Sequence, residues 1–251
     1  MTILRSSFIE GEVIENKTWT ERLYSLRIRV ELMPFKAGQF VRLQLPVGGE
    51  VVTKSYSLIN APDEPDLEVF FNTVPNGRLS NALAALRGGD RIEVSQPAQG
   101  FFVLDEIPET RHLWMFATGT GLGPYISILK TADVWKRFEK VVLVHGVPLM
   151  KELAYADLIG TWQQKYPDQF RFVSCVTREQ NSAGLHGRMT DLFVNDVLEK
   201  QIGLEISKDN SHVMLCGNHN MIKDMKALLA ERGMSRHLRH KPGQVTTEQY
   251  Y

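Results

Sequence analysis

The sequence predicts two domains: an antiparallel β-barrel in residues 1–108, followed by an α/β domain with a parallel sheet in residues 109–251. Up to residue 108 the apolar runs are short, rich in β-branched and aromatic residues, and separated by turn residues, as in antiparallel barrels. Beyond that point apolar strands alternate with segments of helical length, which favours a parallel sheet covered by helices. We place the domain boundary at Glu106–Thr110.

The first half contains six strand-like runs and one helix. The strands are predicted at Ile9–Ile14, Leu23–Val30, Phe40–Leu45, Ser55–Ile59, Leu67–Phe71 and Arg91–Val94. The helix is predicted at Leu79–Leu86, where Gly88 and Gly89 end it.

The second half alternates strands and helices. Its strands are predicted at Leu113–Ala117, Val141–His145, Phe170–Thr177 and His212–Cys216. Its helices are predicted near Tyr125–Thr131, Glu152–Gln164, Thr190–Leu198 and Asn220–Glu231.

Composition excludes several classes of protein. A hydrophobic fraction of 43% with 23% charged residues is typical of a soluble globular protein and excludes disordered and fibrous chains. No membrane span or signal peptide is recognisable, so a cytoplasmic protein is expected. Two cysteines are too few for a disulfide framework or a cysteine-bound iron–sulfur cluster, and we expect no metal site. The zero net charge argues against nucleic-acid binding, while the basic excess of residues 109–251 favours an anionic ligand there.

The run Lys54-Ser55-Tyr56-Ser57 places a cation, two hydroxyls and an aromatic ring at the end of a strand. Because side chains alternate along a strand, Lys54 and Tyr56 share one face. A flat ring beside hydroxyl groups could orient a flavin. Taken alone, these residues also fit an ordinary strand with a half-buried tyrosine.

A second run leads from a strand into a helix. Phe70-Phe71-Asn72-Thr73 ends the strand, and Asn76-Gly77-Arg78-Leu79-Ser80 turns into the helix. The first-turn amides of a helix are unpaired donors that favour an anion such as a diphosphate. A plain glycine turn with Ser80 near the helix start is the simpler alternative.

The third run, Gly119-Thr120-Gly121-Leu122-Gly123-Pro124, follows a predicted apolar strand. It departs from the usual dinucleotide fingerprint G-x-G-x-x-G, because proline occupies position 124, where the fingerprint has its third glycine. The context nevertheless indicates a nucleotide turn, since the glycines permit close backbone approach and Pro124 suits the first turn of a helix.

Two arginines could select the phosphorylated nucleotide. Arg178 follows Thr177 at the end of a strand, and Arg188 precedes a predicted helix. Two guanidiniums on adjacent loops could bind the 2′-phosphate that separates NADP from NAD. Each alone could equally be a solvated surface residue.

These motifs, in this order, resemble bacterial ferredoxin/flavodoxin–NADP⁺ reductases of the γ-proteobacterial type. The resemblance implies that Tyr56 stacks on the flavin of FAD, that Ser57 approaches its N5 atom, and that the Gly77–Ser80 turn holds the diphosphate. Lys54 replaces the usual arginine, so a bidentate clamp becomes a point charge. Thr120, in the nucleotide turn, is expected near the flavin.

Further elements of the second half match the same family. Cys216-Gly217 resembles a segment beside the nicotinamide, where small residues leave room for the ring. Pro148 stands where relatives often carry a third arginine, so weaker NADP binding is expected. A frayed tail would be the default expectation, but the terminal Glu248-Gln249-Tyr250-Tyr251 resembles a tail that returns to the flavin, with Tyr250 covering the ring and Tyr251 contacting the adenine.

The resemblance therefore implies a monomeric flavoenzyme that passes hydride from NADPH to FAD and single electrons to ferredoxin or flavodoxin. Its expected residues fall into three groups. Those lining the reaction centre are Ser57, Cys216, Glu248 and Tyr250. Those binding FAD are Lys54, Ser55, Tyr56, Ser57, Phe70, Phe71, Asn72, Gly77, Arg78, Leu79, Ser80, Thr120, Tyr250 and Tyr251. Those binding NADP(H) are Gly119, Gly121, Thr177, Arg178, Arg188, Gly217, Asn218 and Asp224.

Three alternatives remain open from the sequence. One is the reductase component of an oxygenase system, another a reductase of free flavin, and the third a nucleotide-sensing module without turnover. The basic run Arg236–Lys241 is either a solvated face or a surface that attracts an acidic carrier protein.

Overall fold

The computed structural model describes residues 7–250, whose contacts divide the chain into two compact units. The first unit combines the residues up to Leu104 with Gly123–Thr131, and the second combines Asp105–Leu122 with the residues from Ala132 onward. The chain therefore leaves the first unit, returns to it for one helix, and leaves it again. Tyr251, one of the expected FAD ligands, lies outside the described residues.

The first unit is built on one six-stranded antiparallel sheet. Its strands are β1 (Ser7–Thr20), β2 (Leu23–Arg29), β3 (Phe40–Val47), β4 (Glu50–Ser57), β5 (Leu67–Asn72) and β6 (Arg91–Gln96). They lie in the order β4-β3-β6-β1-β2-β5, with the long β1 pairing with both β2 and β6. A bridge between Leu58 and Val69 joins the two edges of the sheet, so the sheet curls into a barrel.

The hairpin from β3 to β4 corrects one predicted strand. The strand expected at Ser55–Ile59 begins at Glu50, because Gly48 and Gly49 form a two-residue turn in which both residues have positive φ, +61° and +82°. Such turns match the twist of paired strands and strongly favour glycine. The glycine pair in the sequence was thus the signal for this hairpin.

The barrel interior is apolar and includes one face of helix α1 (Arg78–Ala85). Leu79 and Leu83 of the helix are buried among the strand residues Leu26, Ile28 and Leu43. The helix lies one residue earlier than predicted at its start and at its end. Its first residue, Arg78, lies within the run Asn76–Ser80 singled out in the sequence, so Arg78, Leu79 and Ser80 are already helical and only Asn76 and Gly77 precede the helix.

Helix α2 (Gly123–Lys130) was predicted in the second domain but belongs to the first unit by its contacts. Ser127 Oγ donates to the Asn60 carbonyl at 2.7 Å, and Lys130 Nζ lies 2.8 Å from Glu64 Oε2. The first seven residues of the helix are all buried. Because the helix is apolar on nearly every side, it packs as a core element of that unit.

The second unit contains a six-stranded parallel sheet. Its strands are β7 (His112–Thr118), β8 (Lys140–Val147), β9 (Phe170–Val176), β10 (Leu185–His186), β11 (Ser211–Gly217) and β12 (Val245–Gln249). Their order is β10-β9-β8-β7-β11-β12. The antiparallel first sheet and the parallel second sheet confirm the predicted fold class. Within residues 7–250, no helix is long and apolar enough to cross a bilayer.

Helices of the second unit depart from the prediction where the backbone turns left-handed. They are α3 (Ala132–Arg137), α4 (Ala156–Lys165), α5 (Met189–Val194), α6 (Val197–Ile202) and α7 (His219–Glu231). The helix predicted at 152–164 starts only after Tyr155, which has φ +60°. The helix predicted at 190–198 is two helices, because Asp196 has φ +57°. A left-handed residue cannot continue a right-handed helix.

The C-terminal segment forms a strand instead of a frayed end. β12 pairs in parallel with β11, and His212 Nε2 lies 2.8 Å from Thr246 Oγ1 across the pair. Burial lowers the pKa of His212 to about 3, so this imidazole is neutral. The β-branched run Val245-Thr246-Thr247 is compatible with an extended conformation, but the sequence analysis predicted no strand here.

One buried ion pair joins α6 to the end of α7. Arg232 donates to both oxygens of Glu199, at 2.8 and 2.7 Å, and Glu199 also accepts from the Ile206 amide at 2.6 Å. The Glu199 side chain is 6% exposed and that of Arg232 31%. Removing one partner would leave a charge largely shielded from water.

We predict that Glu199→Gln lowers the free energy of unfolding by about 2 kcal/mol, because Arg232 loses its counter-ion in a mostly buried position. The matched control is Glu139→Gln, which breaks the pair with Arg111 and should cost much less, because both side chains of that pair are exposed to water. Urea unfolding at a fixed saturating concentration of FAD measures both. Equal losses in the two variants would contradict a special role for the buried pair.

Candidate cofactor-binding sites

The end of β4 carries the first predicted cluster. Tyr56 is half-buried, and its ring meets the buried ring of Phe71 edge-on, with centroids 6.0 Å apart and planes at 78°. Burial raises the pKa of the Tyr56 phenol to about 12, so the ring stays neutral. Ser57 is buried, whereas Lys54 and Ser55 are exposed. A neutral aromatic ring held by a second ring is suited to stacking on a flat heterocycle.

Residues of β5 and α1 complete the predicted FAD set in the first unit. Phe70 and Leu79 have buried side chains, so they can offer a ligand mainly their backbone, while Asn72 is exposed. Arg78 donates to Glu50 Oε2 and to the Val47 carbonyl, each at 2.6 Å. Its guanidinium is thus already used to join α1 to the β3–β4 hairpin, and its role toward a diphosphate would fall to the backbone amide.

The turn before α1 has room for glycine alone. A Cβ atom at Gly77 would lie 2.5 Å from Val74 Cγ2 and 2.5 Å from Ser80 Oγ. Both distances are well inside van der Waals contact, so a larger residue would displace the turn. Tight packing of this kind keeps the first amides of α1 in fixed positions.

Asn16 of β1 holds the opposite end of α1. Its Nδ2 donates to the carbonyls of Leu83, Ala84 and Leu86 at 2.9, 3.2 and 2.9 Å. The last carbonyls of a helix lack partners within the helix, so this amide caps them. The sequence analysis did not single out Asn16, because its partners lie about seventy residues away along the chain.

In the second unit the nucleotide turn lies at the carboxyl edge of the sheet. The turn Gly119–Leu122 follows β7, and its neighbour β11 ends at Gly217. The strand order reverses between β7 and β11, which is where open α/β sheets form a ligand-binding crevice. The sheet therefore brings two separately predicted motifs to one place.

The glycines at this crevice allow backbone to approach backbone. A Cβ at Gly121 would lie 2.5 Å from the Cys216 carbonyl oxygen, and one at Gly217 would lie 2.7 Å from the Thr118 carbonyl oxygen. Gly217 also has φ +125°, a conformation that other residues avoid. Thr118 Oγ1 accepts from the Asn218 amide at 2.7 Å and fastens the two strand ends together.

Cys216, Glu248 and Tyr250 are brought together by the β11–β12 pair. Cys216 is paired in register with Glu248, and the Tyr250 amide donates to the Gly217 carbonyl at 3.2 Å. Burial and then the charge of Glu248 raise the pKa of the Cys216 thiol, while a hydrogen bond with Tyr250 acts the other way. Ser57, the fourth residue expected at the reaction centre, belongs to the first unit.

The two arginines leave the sheet at the same edge. β9 and β10 are parallel and pair Val176 with His186, so Arg178 and Arg188 each lie two residues beyond a paired position. Neighbouring strands are about 4.8 Å apart. Both side chains are exposed, and neither has a hydrogen-bond or ion-pair partner among residues 7–250.

The remaining predicted NADP ligands have different surroundings. The Asn218 side chain caps α7, accepting from the amides of Asn220 at 2.9 Å and Met221 at 3.4 Å. Asp224 is exposed on α7, about 9 Å further along the helix axis. Thr177 is exposed at the end of β9. The cap already explains Asn218 structurally, whereas Thr177 and Asp224 face solvent.

Comparison with known proteins agrees with this division into two cofactor regions. Residues 11–102 match the family model "Oxidoreductase FAD-binding domain", and residues 115–227 match "Oxidoreductase NAD-binding domain". The two matches cover the barrel strands β2–β6 and the nucleotide turn respectively.

Relatives match over the full length. The flavodoxin/ferredoxin–NADP reductase of Escherichia coli K12 is 44% identical, over 98% of this chain and 100% of that protein. The crystal structure of a ferredoxin NADP⁺ reductase from Neisseria gonorrhoeae, with bound FAD and NADP, has a TM-score of 0.91 at 32% identity, covering 96% and 98% of the chains. An Amycolatopsis cytochrome P450 reductase has a TM-score of 0.80 at 27% identity, covering 97% of this chain and 70% of the other. The chain belongs to the flavodoxin/ferredoxin–NADP reductase family.

Proposed function

We propose that this protein transfers hydride from NADPH to bound FAD and passes electrons singly to ferredoxin or flavodoxin. Full-length identity of 44% to a flavodoxin/ferredoxin–NADP reductase carries the proposal. When bound, the flavin supplies the hydride acceptor and the capacity to release electrons one at a time. The protein's own residues bind, orient and shield the two cofactors, so the reaction requires no general base from the chain.

The first unit provides the groups for FAD. The half-buried, neutral ring of Tyr56 offers a stacking surface, and Ser57 next to it offers a hydroxyl at the polar edge of the flavin. The tightly packed Gly77 turn offers the first amides of α1 to the diphosphate. Lys54, which is exposed, supplies a single positive charge for the same group.

The second unit provides the groups for NADPH. Gly119, Gly121 and Gly217 leave backbone exposed at the crevice where the strand order reverses. Cys216 is small and fully buried, and its raised pKa keeps the thiol protonated, so it shapes the nicotinamide site without acting as a nucleophile. Glu248 and Tyr250 are held beside it by β12.

Selectivity for the phosphorylated nucleotide would come from Arg178 and Arg188. Among residues 7–250 both guanidiniums lack a hydrogen-bond or ion-pair partner, and they lie at the same edge of the sheet, so they are free to bind a 2′-phosphate. Pro148 replaces the third arginine of many relatives, but its carbonyl accepts from the Arg178 amide at 2.9 Å. The proline therefore removes a charge but leaves this backbone contact to Arg178 in place, because every residue has the same carbonyl.

The two alternative enzyme activities, free-flavin reductase and oxygenase reductase, differ in the electron carrier that they require. A free-flavin reductase requires no protein carrier, and an oxygenase reductase requires the partner of its own system. The Amycolatopsis cytochrome P450 reductase is longer than this chain, which covers 70% of it. Monomeric state and cytoplasmic location remain predictions from the sequence.

We expect NADPH-dependent reduction of cytochrome c by the purified flavoprotein to rise strongly when ferredoxin or flavodoxin is added. The carriers accept single electrons from the enzyme and hand them to the cytochrome. Equal rates without a carrier would favour the free-flavin reductase, and no turnover in either assay would favour a nucleotide sensor. If the enzyme reduced cytochrome c only when the carrier protein of an oxygenase system was added, the result would support the oxygenase-reductase alternative.

Arg178→Ala is expected to raise the KM for NADPH about 10- to 100-fold with little change in kcat, because one charged hydrogen bond to the 2′-phosphate is lost. The KM for NADH should stay constant, since that nucleotide lacks the phosphate. Arg111→Ala removes the same charge at the amino end of the same sheet and serves as the control. An unchanged KM for NADPH in the Arg178 variant would refute the assignment.

The basic run Arg236–Lys241 provides a test of carrier attraction. Arg239 forms a bidentate ion pair with Glu106, whereas Arg236, His240 and Lys241 are exposed. We expect Lys241→Glu to lower kcat/KM for the carrier on the order of threefold at low salt, and this effect to vanish at high salt.

The matched control for this surface is Lys165→Glu. Lys165 is exposed at the end of α4, directly before β9, which is four strands away from β12 in the sheet. Lys165→Glu changes the net charge by the same amount as Lys241→Glu but leaves the basic run Arg236–Lys241 unchanged. Equal effects of the two variants would show that overall charge, and not this surface, steers the carrier.

A further inference from the structure

One buried histidine contacts the nucleotide turn. His145 lies on β8 with 1% of its surface exposed, and its Nε2 is 3.0 Å from the carbonyl oxygen of Gly119. In the sequence analysis this histidine appears only as the last residue of the predicted strand Val141–His145. Among residues 7–250 its one hydrogen-bond partner is Gly119, the first residue of the turn that we assign to NADPH.

The direction of this hydrogen bond follows from chemistry. A carbonyl oxygen only accepts, so Nε2 must carry the proton and donate it. His145 Nδ1 is buried and has no hydrogen-bond partner among the described residues 7–250. Burial lowers the pKa of His145 to about 4, so the ring is neutral at physiological pH.

Burying an imidazole for packing alone is unfavourable. A polar group loses its hydrogen bonds to water on burial, and a leucine or phenylalanine would fill similar space without that loss. The ring regains one hydrogen bond, and only through Gly119 among residues 7–250. We therefore expect His145 to contribute more to the structure of the Gly119–Leu122 turn than to the packing of the core.

The turn needs such a restraint because it begins with glycine. Gly119 has φ +53° and opens a single 3₁₀ turn that runs to Leu122; because it has no Cβ, it can leave this conformation more readily than another residue could. In a trans peptide the carbonyl and the following N–H point in opposite directions. Holding the Gly119 carbonyl toward β8 therefore directs the Thr120 N–H away from β8.

We propose that His145 is a positioning residue that locks the Gly119–Thr120 peptide, so that the Thr120 N–H is a fixed donor to a phosphate oxygen of the nicotinamide nucleotide. This role rests on the proposed function, since it concerns the same nucleotide. His145 does not touch the cofactor; it acts through the peptide group. Fixing a donor in advance improves binding because less ordering is required when the ligand arrives.

Two variants separate the hydrogen bond from the packing of the ring. His145→Leu removes the donor at similar volume and is expected to raise the Kd for NADP⁺ and the KM for NADPH about 3- to 10-fold, with kcat changed less. His145→Gln retains an N–H donor and should restore affinity to within about twofold of the unmodified protein. Bound FAD, measured by absorbance, should be unchanged in both variants.

The outcomes distinguish this role from the proposed function. If the unmodified holoprotein does not bind NADP⁺, both are overturned. If the unmodified holoprotein binds NADP⁺, two results would overturn the positioning role alone. One is that His145→Leu binds NADP⁺ as tightly as the unmodified protein. The other is that His145→Gln binds NADP⁺ as weakly as His145→Leu.

If the leucine variant does not fold, a measurement on the unmodified protein still tests the proposal. Nitrogen NMR of histidine-labelled holoprotein should show His145 protonated on Nε2 alone, with no titration between pH 5 and 9. A proton on Nδ1 instead would overturn the proposal.

Discussion

The second unit depends on how closely the ends of β7 and β11 approach one another. Backbone atoms of the Gly119–Leu122 turn and of Cys216-Gly217 lie at distances that exclude any side chain on Gly121 or Gly217. Where the strand order reverses, the loops that follow two neighbouring parallel strands leave on opposite faces of the sheet, and the gap between these loops forms the crevice. The close approach of the two backbone segments therefore both requires glycine at positions 121 and 217 and leaves backbone accessible to a dinucleotide.

Several contacts that maintain this geometry come from elements on either side of the crevice. β8 contributes His145 to the turn, the Thr118 hydroxyl accepts from the loop after β11, and β12 is fastened to β11 through His212 and Thr246. In the first unit Asn16 and Gly77 do the same for α1, one at each end of the helix. In both units backbone amides are among the groups expected to meet phosphate, and the side chains of Asn16 and His145, from distant strands, support the segments that carry these amides.

The sequence was sufficient for the architecture and for the motifs, because both depend on local patterns. Strand periodicity identified the barrel and the parallel sheet, and the glycine turn was placed correctly between a strand and a helix. Left-handed backbone at Tyr155 and Asp196 broke helices that composition alone favoured, since nothing in these residue types requires positive φ. β12 was missed because its partner, β11, lies about thirty residues away, so the pairing has no local signal.

The supporting residues were harder to predict for the same reason. Asn16 and His145 are ordinary in their local sequence, and each becomes meaningful only through a partner brought near by the fold. The grouping of α2 with the first unit likewise follows from Ser127 and Lys130 finding partners around Asn60–Glu64. A sequence motif contains the residues expected to contact a ligand. The residues that hold them in position are distant in sequence and can be identified only from the tertiary structure.

Charge at the carboxyl edge of the second sheet is divided between a neutral interior and a cationic rim. Burial keeps His145 and Cys216 uncharged, and the carboxylate of Glu248 raises the pKa of the thiol further. This matters for a nicotinamide site, because a thiolate is a nucleophile and the oxidised nicotinamide ring is an electrophilic cation. A protonated cysteine provides the small volume without that reactivity, and the positive charges that we propose for phosphate recognition lie at the rim, on Arg178 and Arg188, where they stay solvated and avoid the cost of burial.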